Sequence, residues 1–406
     1  MLHTASVSRI AVVLAGGGAR GAYELGALSE VLPFLEKQGE RPTIYLGTSI
    51  GAIQAAYLAQ RATDDFEKVL GAGLKTWREI RIRDGLSSPF TLGQFRIVLR
   101  YLGRAVGLPV SPPASFLATS RLRRSVEKKF GPFDRIHSNV MKGSLHSVAV
   151  VATSSATGRS VVFHDGGTPR ERSDNRRAID YLPTKLTVEH VLASAAIPSL
   201  LPAVCVSGPG HPSGWYVDGG TRLNSPIKPA IWLGGERLVI IGLHSNQPCP
   251  ETGSPKAPDA IDGTSHLTQA ILADPLYNDL QTLVTLNRVA RKAGDQVSYK
   301  EIPYIFIAPD SRDRVGELAS TVFNRHYTRL RRLGSRHIRF IGRLVDARSD
   351  AAHGELLSYL FFAPEFIDRL FKLGKDDARE WLLRTDHDDH PWRRICDPLI
   401  AAQKRD

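Results

Sequence analysis

Ser49 sits in Gly47-Thr48-Ser49-Ile50-Gly51, and a second glycine turn, Ala15-Gly16-Gly17-Gly18-Ala19-Arg20-Gly21, precedes it. A Gly-x-Ser-x-Gly turn between a strand and a helix exposes a serine hydroxyl at a helix N-terminus, where developing negative charge is favoured. A serine in that position also serves as an ordinary helix cap. The glycine-rich turn has no side chain to obstruct the Gly17 and Gly18 N–H groups, so both can point at one oxygen. Together the turns suit acyl transfer, with one presenting a nucleophile and the other stabilising an oxyanion.

Such a serine needs a base. Asp218 follows Trp215-Tyr216-Val217 and precedes Gly219-Gly220, and His244 follows the apolar run Leu238 to Leu243. The chain order Ser49, Asp218, His244 also fits a serine–acid–histidine triad. A second Asp-Gly-Gly begins at Asp165, so the tripeptide alone does not select the base. Gly16-x-Gly18-x-x-Gly21 also has the pattern of a dinucleotide-binding loop. That reading wants an acidic residue at the end of the following strand, where this chain has Gly47-Thr48-Ser49.

The elements that would hold these residues are legible in the pattern. Ile10 to Leu14 and Thr43 to Leu46 read as buried strands, and Ala22 to Gln38 and Ala52 to Arg61 read as helices. A right-handed βαβ unit brings both turns to the carboxyl edge of one parallel sheet. Further strands are expected at Ser147–Ala152, Val161–Phe163, Gly214–Val217, Leu238–Ile241 and Tyr304–Ala308, and a short helix at Val188–Ala196. The stretch from Thr63 to about Gly107 has a helical pattern, and Pro109 to Pro113 reads as a break. Gln247 to Gly263 reads as a mobile Pro/Gly/Ser-rich loop, and helices dominate after Leu267.

Several of these blocks, in order, resemble the patatin-like phospholipases. They are Gly16-Gly-Gly-Ala-Arg-Gly21, Gly47-Thr-Ser-Ile-Gly51, Ala193-Ser-Ala-Ala-Ile-Pro198, Tyr216-Val-Asp-Gly-Gly220 and Asn224-Ser-Pro226. Glu355-Leu-Leu-Ser-Tyr-Leu360 and Gly374-Lys-Asp-Asp-Ala378 resemble the C-terminal region of larger bacterial members. The resemblance implies a three-layer α/β/α fold with a mostly parallel central sheet. The family domain would span residues 8–245, with a helical, basic insertion at about 63–145, followed by a helix-rich C-terminal region at 264–406. It implies a Ser-Asp dyad of Ser49 and Asp218, with an oxyanion loop of Gly16, Gly17, Gly18, Ala19, Arg20 and Gly21. Gly47, Gly51, Gly219 and Gly220 are the motif glycines. It implies hydrolysis of fatty-acyl esters of lipids, with no metal or organic cofactor. Transacylase or thioesterase chemistry at the same site, and a catalytically silent membrane-docking protein, are the competing readings.

The chain of 406 residues carries a formal charge of +12 and is 42% hydrophobic. No apolar run approaches the roughly 20 residues of a spanning helix, and Ser6, Ser8 and Arg9 interrupt any secretory h-region. Cys205, Cys249 and Cys396 are scattered, which suits a reducing compartment. A cytoplasmic protein in peripheral contact with anionic membrane is the expectation, with no nucleic-acid partner. The basic runs Arg121–Lys142 and Arg325–Arg343 are either lipid-docking surfaces or solvated helix faces. Arg20 either contacts a lipid phosphate or braces the loop through carbonyls, the bracing role being favoured. Leu356 to Phe362 reads as core, with a lid over acyl chains as the sharper alternative, and Asp386 to His390 as a solvated acidic tail.

Overall fold

Short, almost wholly apolar runs build the centre of the sheet. Ile-Ala-Val-Val-Leu of β1 (Ile10–Leu14) and Leu-Val-Ile-Ile within β9 (Arg237–Ile241) are buried along their length, as strands covered on both faces must be. The computed structural model describes residues 8–80, 119–198, 201–208, 211–245, 260–296, 299–311, 313–328, 351–384 and 389–394.

In chain order, β1 is followed by α1 (Gly21–Lys37), β2 (Ile44–Thr48), α2 (Ile50–Ala59) and α3 (Phe66–Glu79). Then come α4 (Thr119–Lys129), α5 (Arg135–Met141), β3 (Ser147–Ser154), β4 (Ser160–Gly166), β5 (Ser173–Asp174) and β6 (Ile179–Pro183). Next are α6 (Val188–Ser194), β7 (Val204–Gly208), β8 (His211–Asp218), α7 (Ile227–Trp232) and β9. The chain continues through α8 (Ala260–Leu272), α9 (Asp274–Ala293), β10 (Tyr304–Ile307), α10 (Arg314–His326), α11 (Ala351–Leu360) and α12 (Pro364–Leu383).

The strands join in the order β10-β9-β1-β2-β3-β4-β6-β5, with β8 also paired to β3 and β7 to β8. From β10 to β3 every pairing is parallel; beyond β3 the sheet is mixed. With its many helices this is a three-layer α/β fold with a mostly parallel central sheet.

Register decides what meets at the sheet edge. Leu14 pairs with Gly47, Thr48 with Val151, and Ala152 with Asp218. The ends of β1 and β2, and the antiparallel end of β8, therefore converge on one edge. Asp165 pairs with Val148, four residues back along β3, or roughly 13 Å at the usual rise per residue. The two Asp-Gly-Gly sequences thus lie at different heights on the sheet.

The C-terminal residues are built into this body. β10 extends the sheet beside β9, and the chain near Arg393 pairs with Tyr304 to cover that edge. Trp392 and Arg393 are buried there, so the end of the acidic run, exposed at Asp389 and His390, leads into an anchored segment rather than a free tail. Helix α12 lies against α1 in backbone contact. A Cβ on Gly26 would fall 2.1 Å from the Phe371 carbonyl oxygen, and one on Gly374 2.1 Å from that of Tyr23.

Leu357 and Phe361 are core residues, and Phe362 stacks on Trp77, so this run packs inward as core. Helix α8 starts at Ala260, inside the stretch expected to be loop; the exposed Gly263 is tolerated there at a cost of about 1 kcal/mol. The rest of that loop, the Thr63–Gly107 pattern beyond Ile80, the Pro109–Pro113 break, Cys249, Cys396 and Arg329 to Arg343 lie outside the described residues.

Candidate active site

Ser49 is the turn between β2 and α2, and it is the only residue separating them. Its φ of 56° and ψ of −121° are unusual for a residue with a side chain. Strain of this kind persists only where neighbours enforce it, and it costs on the order of 1–3 kcal/mol. The enforcement is visible. A Cβ on Gly47 would fall 2.1 Å from the Gly51 carbonyl oxygen, and one on Gly51 2.6 Å from that of Leu14. No larger residue fits beneath this turn. The Ser49 N–H donates to Ser194 Oγ at 2.9 Å, and the Ser194 hydroxyl donates to the Val151 carbonyl at 2.5 Å. Ser194, at the end of α6, thereby ties the turn to β3.

The Ser49 hydroxyl donates to Asp218 Oδ2 at 2.5 Å, and both residues are buried. Asp218 Oδ1 accepts the Gly220 N–H at 2.7 Å, and the Asp218 N–H donates to the Ala196 carbonyl. Burial pushes the Asp218 carboxyl up to about 6, against the lowering effect of the hydrogen bonds it accepts from Ser49 and Gly220. Gly219 lets the chain pass close over β3, because a Cβ there would lie 2.4 Å from the Val151 carbonyl oxygen. Asp165 is elsewhere, hydrogen-bonded to His137 at 3.0 Å.

The glycine turn flanks Ser49: a Cβ on Gly16 would lie 3.0 Å from Ser49 Cβ. The N–H groups of the six loop residues are not equivalent. That of Gly16 donates to Asn224 Oδ1 at 2.9 Å, that of Arg20 to the Gly17 carbonyl at 3.1 Å, and that of Gly21 to carbonyls within the turn. Gly17, Gly18 and Ala19 have no protein acceptor for theirs among the described residues. Gly18, with φ of 58°, sits so close to α11 that a Cβ would lie 2.2 Å from the Tyr359 carbonyl oxygen. Ala19 is buried in the short helical turn that follows.

The Arg20 side chain is buried, pairs with Glu355 at 2.7 Å, and lies over the Tyr359 ring. It contacts the Leu243 and Glu355 carbonyls, the kind of partner the bracing reading expects, and side chains of α11 as well. His244 joins the same group. Its Nδ1 lies 3.1 Å from Arg20 Nη1 and its Nε2 3.2 Å from Tyr359 Oη, so both ring nitrogens face this cluster.

Three supporting residues escaped the sequence reading of individual roles. Asn224 spans the Gly16 N–H, the Gly16 carbonyl and the Leu272 carbonyl. Glu24 accepts the Ala15 N–H at 2.7 Å and a Gln54 amide hydrogen at 2.5 Å, and burial raises its carboxyl well above the usual range. Its signal was an acidic residue inside the apolar run of α1. Glu355 lies inside a motif noticed only as a resemblance.

The basic run around α4 is partly neutralised, by one acidic residue on the same helix and by others distant in sequence. Arg123 pairs with Glu127 and Glu189, and Arg135 with Asp64. The Arg121 side chain lies outside the described residues. Among the described residues no cluster of three or more His, Cys, Asp or Glu could hold a metal ion, and no helix is long and apolar enough to cross a membrane.

The family model for patatin-like phospholipase matches residues 12–231. A search of curated protein sequences finds no match. Among solved structures, VipD from Legionella pneumophila is 13% identical with a TM-score of 0.31, covering 92% of this chain and 66% of that one. Human GIVD cytosolic phospholipase A2, in complex with methyl γ-linolenyl fluorophosphonate and terbium chloride, is 12% identical with a TM-score of 0.42, covering 92% and 58%. ExoU of the Pseudomonas aeruginosa type III secretion system, solved with SpcU, is 16% identical with a TM-score of 0.24, covering 98% and 76%. The chain thus spans less than two thirds of the length of the first two.

Proposed function

The chain belongs to the patatin-like phospholipase family, and from that premise we propose that it hydrolyses acyl esters of lipids through a Ser49–Asp218 dyad. The observation that carries the reading is the direct 2.5 Å hydrogen bond from the Ser49 hydroxyl to Asp218 Oδ2. Ser49 Oγ attacks the acyl carbonyl as its proton passes to Asp218. The carbonyl oxygen becomes an oxyanion and is received by the Gly17 and Gly18 N–H groups. Collapse breaks the ester bond, and Asp218 returns the proton to the departing alcohol. Asp218 then deprotonates a water, which attacks the acyl-serine. The second collapse releases the fatty acid and restores the Ser49 hydroxyl. A buried carboxyl with a raised pKa is a stronger base than an exposed one, as this cycle requires.

Variants measured on one short-chain ester test the dyad. Ser49→Ala and Asp218→Asn should each abolish turnover in a folded protein, while His244→Asn should retain a working Ser49–Asp218 pair. Turnover in Ser49→Ala near that of the parent would sink the acyl-enzyme mechanism. A His244→Asn loss as deep as that of Ser49→Ala, in a variant that folds normally, would favour a triad. Adding an alcohol acceptor and analysing products separates hydrolysis from transacylation.

Peripheral contact with anionic membrane is part of the same proposal, supported by the net charge of +12. Sedimentation with anionic vesicles should weaken as salt is raised. Binding indifferent to ionic strength and to lipid charge would contradict it.

A further inference from the structure

We propose that Glu355, on helix α11, is a positioning residue of the reaction: through Arg20 it holds the Gly17–Gly18 turn in its oxyanion-binding conformation. The inference rests on the reading of Ser49 and the glycine turn given above. It places a C-terminal helix, outside the residues the family model matches, within the catalytic apparatus.

The Arg20 guanidinium has five N–H donors, and the structure provides a partner for each. Nε donates to Ser358 Oγ at 2.7 Å. Nη1 faces the Leu243 carbonyl at 3.3 Å and His244 Nδ1 at 3.1 Å. Nη2 faces the Glu355 carbonyl at 3.0 Å and Glu355 Oε1 at 2.7 Å. Three of these five partners belong to α11. Arg20 is only 1% exposed and Glu355 only 4%. A guanidinium saturated and buried in this way has no donor left for a substrate phosphate.

The Arg20 backbone closes the glycine turn, because its N–H donates to the Gly17 carbonyl. Fixing the side chain therefore fixes the residue that sets the turn. The close approach of Gly18 to the Tyr359 carbonyl gives the turn a rigid back wall from the same helix.

A buried ion pair is weak evidence of stabilisation, since desolvation cancels much of its attraction. A defined geometry for two N–H donors is a stronger reason for this one. Burial alone would raise the Glu355 carboxyl, but positive charge beside it, that of Arg20 foremost, holds it at about 2. Glu355 therefore stays ionised across the range in which the enzyme would work.

The test compares full-length Glu355→Gln, Glu355→Asp, Arg20→Gln and the Arg20→Gln/Glu355→Gln double variant, with Ser49→Ala as reference. The readouts are kcat and KM on a short-chain ester, the rate of fluorophosphonate labelling, and Tm. Glu355→Gln should lower kcat and labelling by about 10- to 100-fold while KM stays near that of the parent. Glu355→Asp should recover much of the loss. The double variant should be no worse than Arg20→Gln alone, because both act through one guanidinium. Parental kcat in a folded Glu355→Gln, or losses that multiply in the double variant, would overturn the inference. If Glu355→Gln does not fold, Ser358→Ala decides: it removes the Nε acceptor without stranding a charge. A several-fold fall in kcat at unchanged KM is expected, and a parental kcat overturns the inference. Hydrolysis surviving in Ser49→Ala would instead remove the underlying reading, and this inference with it.

Discussion

At the scale of single residues, Asp218 makes the sharpest prediction. Its carboxyl is raised to about 6, chiefly by burial. In the proposed dyad only the ionised form can accept the serine proton, so activity should fall as pH drops through about 6. The profile of kcat/KM against pH on a soluble ester reports the free enzyme and should show an acid limb centred there. A limb near 4, the ordinary value for an aspartate, would mean that another group is titrating. The stability consequence has the opposite sense. The folded chain holds a proton that the unfolded chain releases between about 4 and 6. Asp218 therefore favours the fold at low pH, and that advantage is lost as pH rises through its folded pKa.

At the scale of elements, the turn between β2 and α2 depends on α6. Ser194 accepts the Ser49 N–H and donates to Val151, linking helix end, nucleophile turn and strand. Ser194→Ala leaves a buried N–H without a partner, which costs about 1–3 kcal/mol. We expect a lower Tm, together with slower fluorophosphonate labelling, because the strained Ser49 geometry loses one of its restraints. Thermal melts and labelling rates check this. Unchanged values for both would show that the glycine packing beneath the turn suffices.

At the scale of the whole molecule, the α1–α12 contact joins the family domain to the C-terminal helices. Gly26 and Gly374 allow these helices to touch backbone to backbone. Gly26→Val would force them apart. Overpacking at such a crossing should cost about 3 kcal/mol or more. Activity should fall with stability, because α1 begins where the glycine turn ends and α11 leads into α12. Urea denaturation measures the first effect and ester turnover the second. A Gly26→Val protein as stable as the parent would mean that the helices are not locked at this point.

Local chemistry made much of the site legible from sequence. The strands before Ser49 and before the glycine turn are short apolar runs, and each turn carries glycines where backbones pass closely. Those signals lie within a few residues of one another. Asp218 was distinguished from Asp165 only by resemblance of its flanks; the physical distinction is register, with Asp218 beside Ala152 and Asp165 beside Val148 on the same strand. The direction of Arg20 needed the tertiary structure. Its sequence position allowed a phosphate contact, and its partners, Glu355 and Ser358, lie more than 300 residues along the chain. The same holds for Ser194 and Asn224, whose bonds to Ser49 and Gly16 exist only once the sheet has formed. Short-range sequence determined the serine turn and the glycine turn, because turns and strands are encoded locally. Long-range packing decided which N–H groups are left free, which carboxylate meets the serine, and where the arginine points.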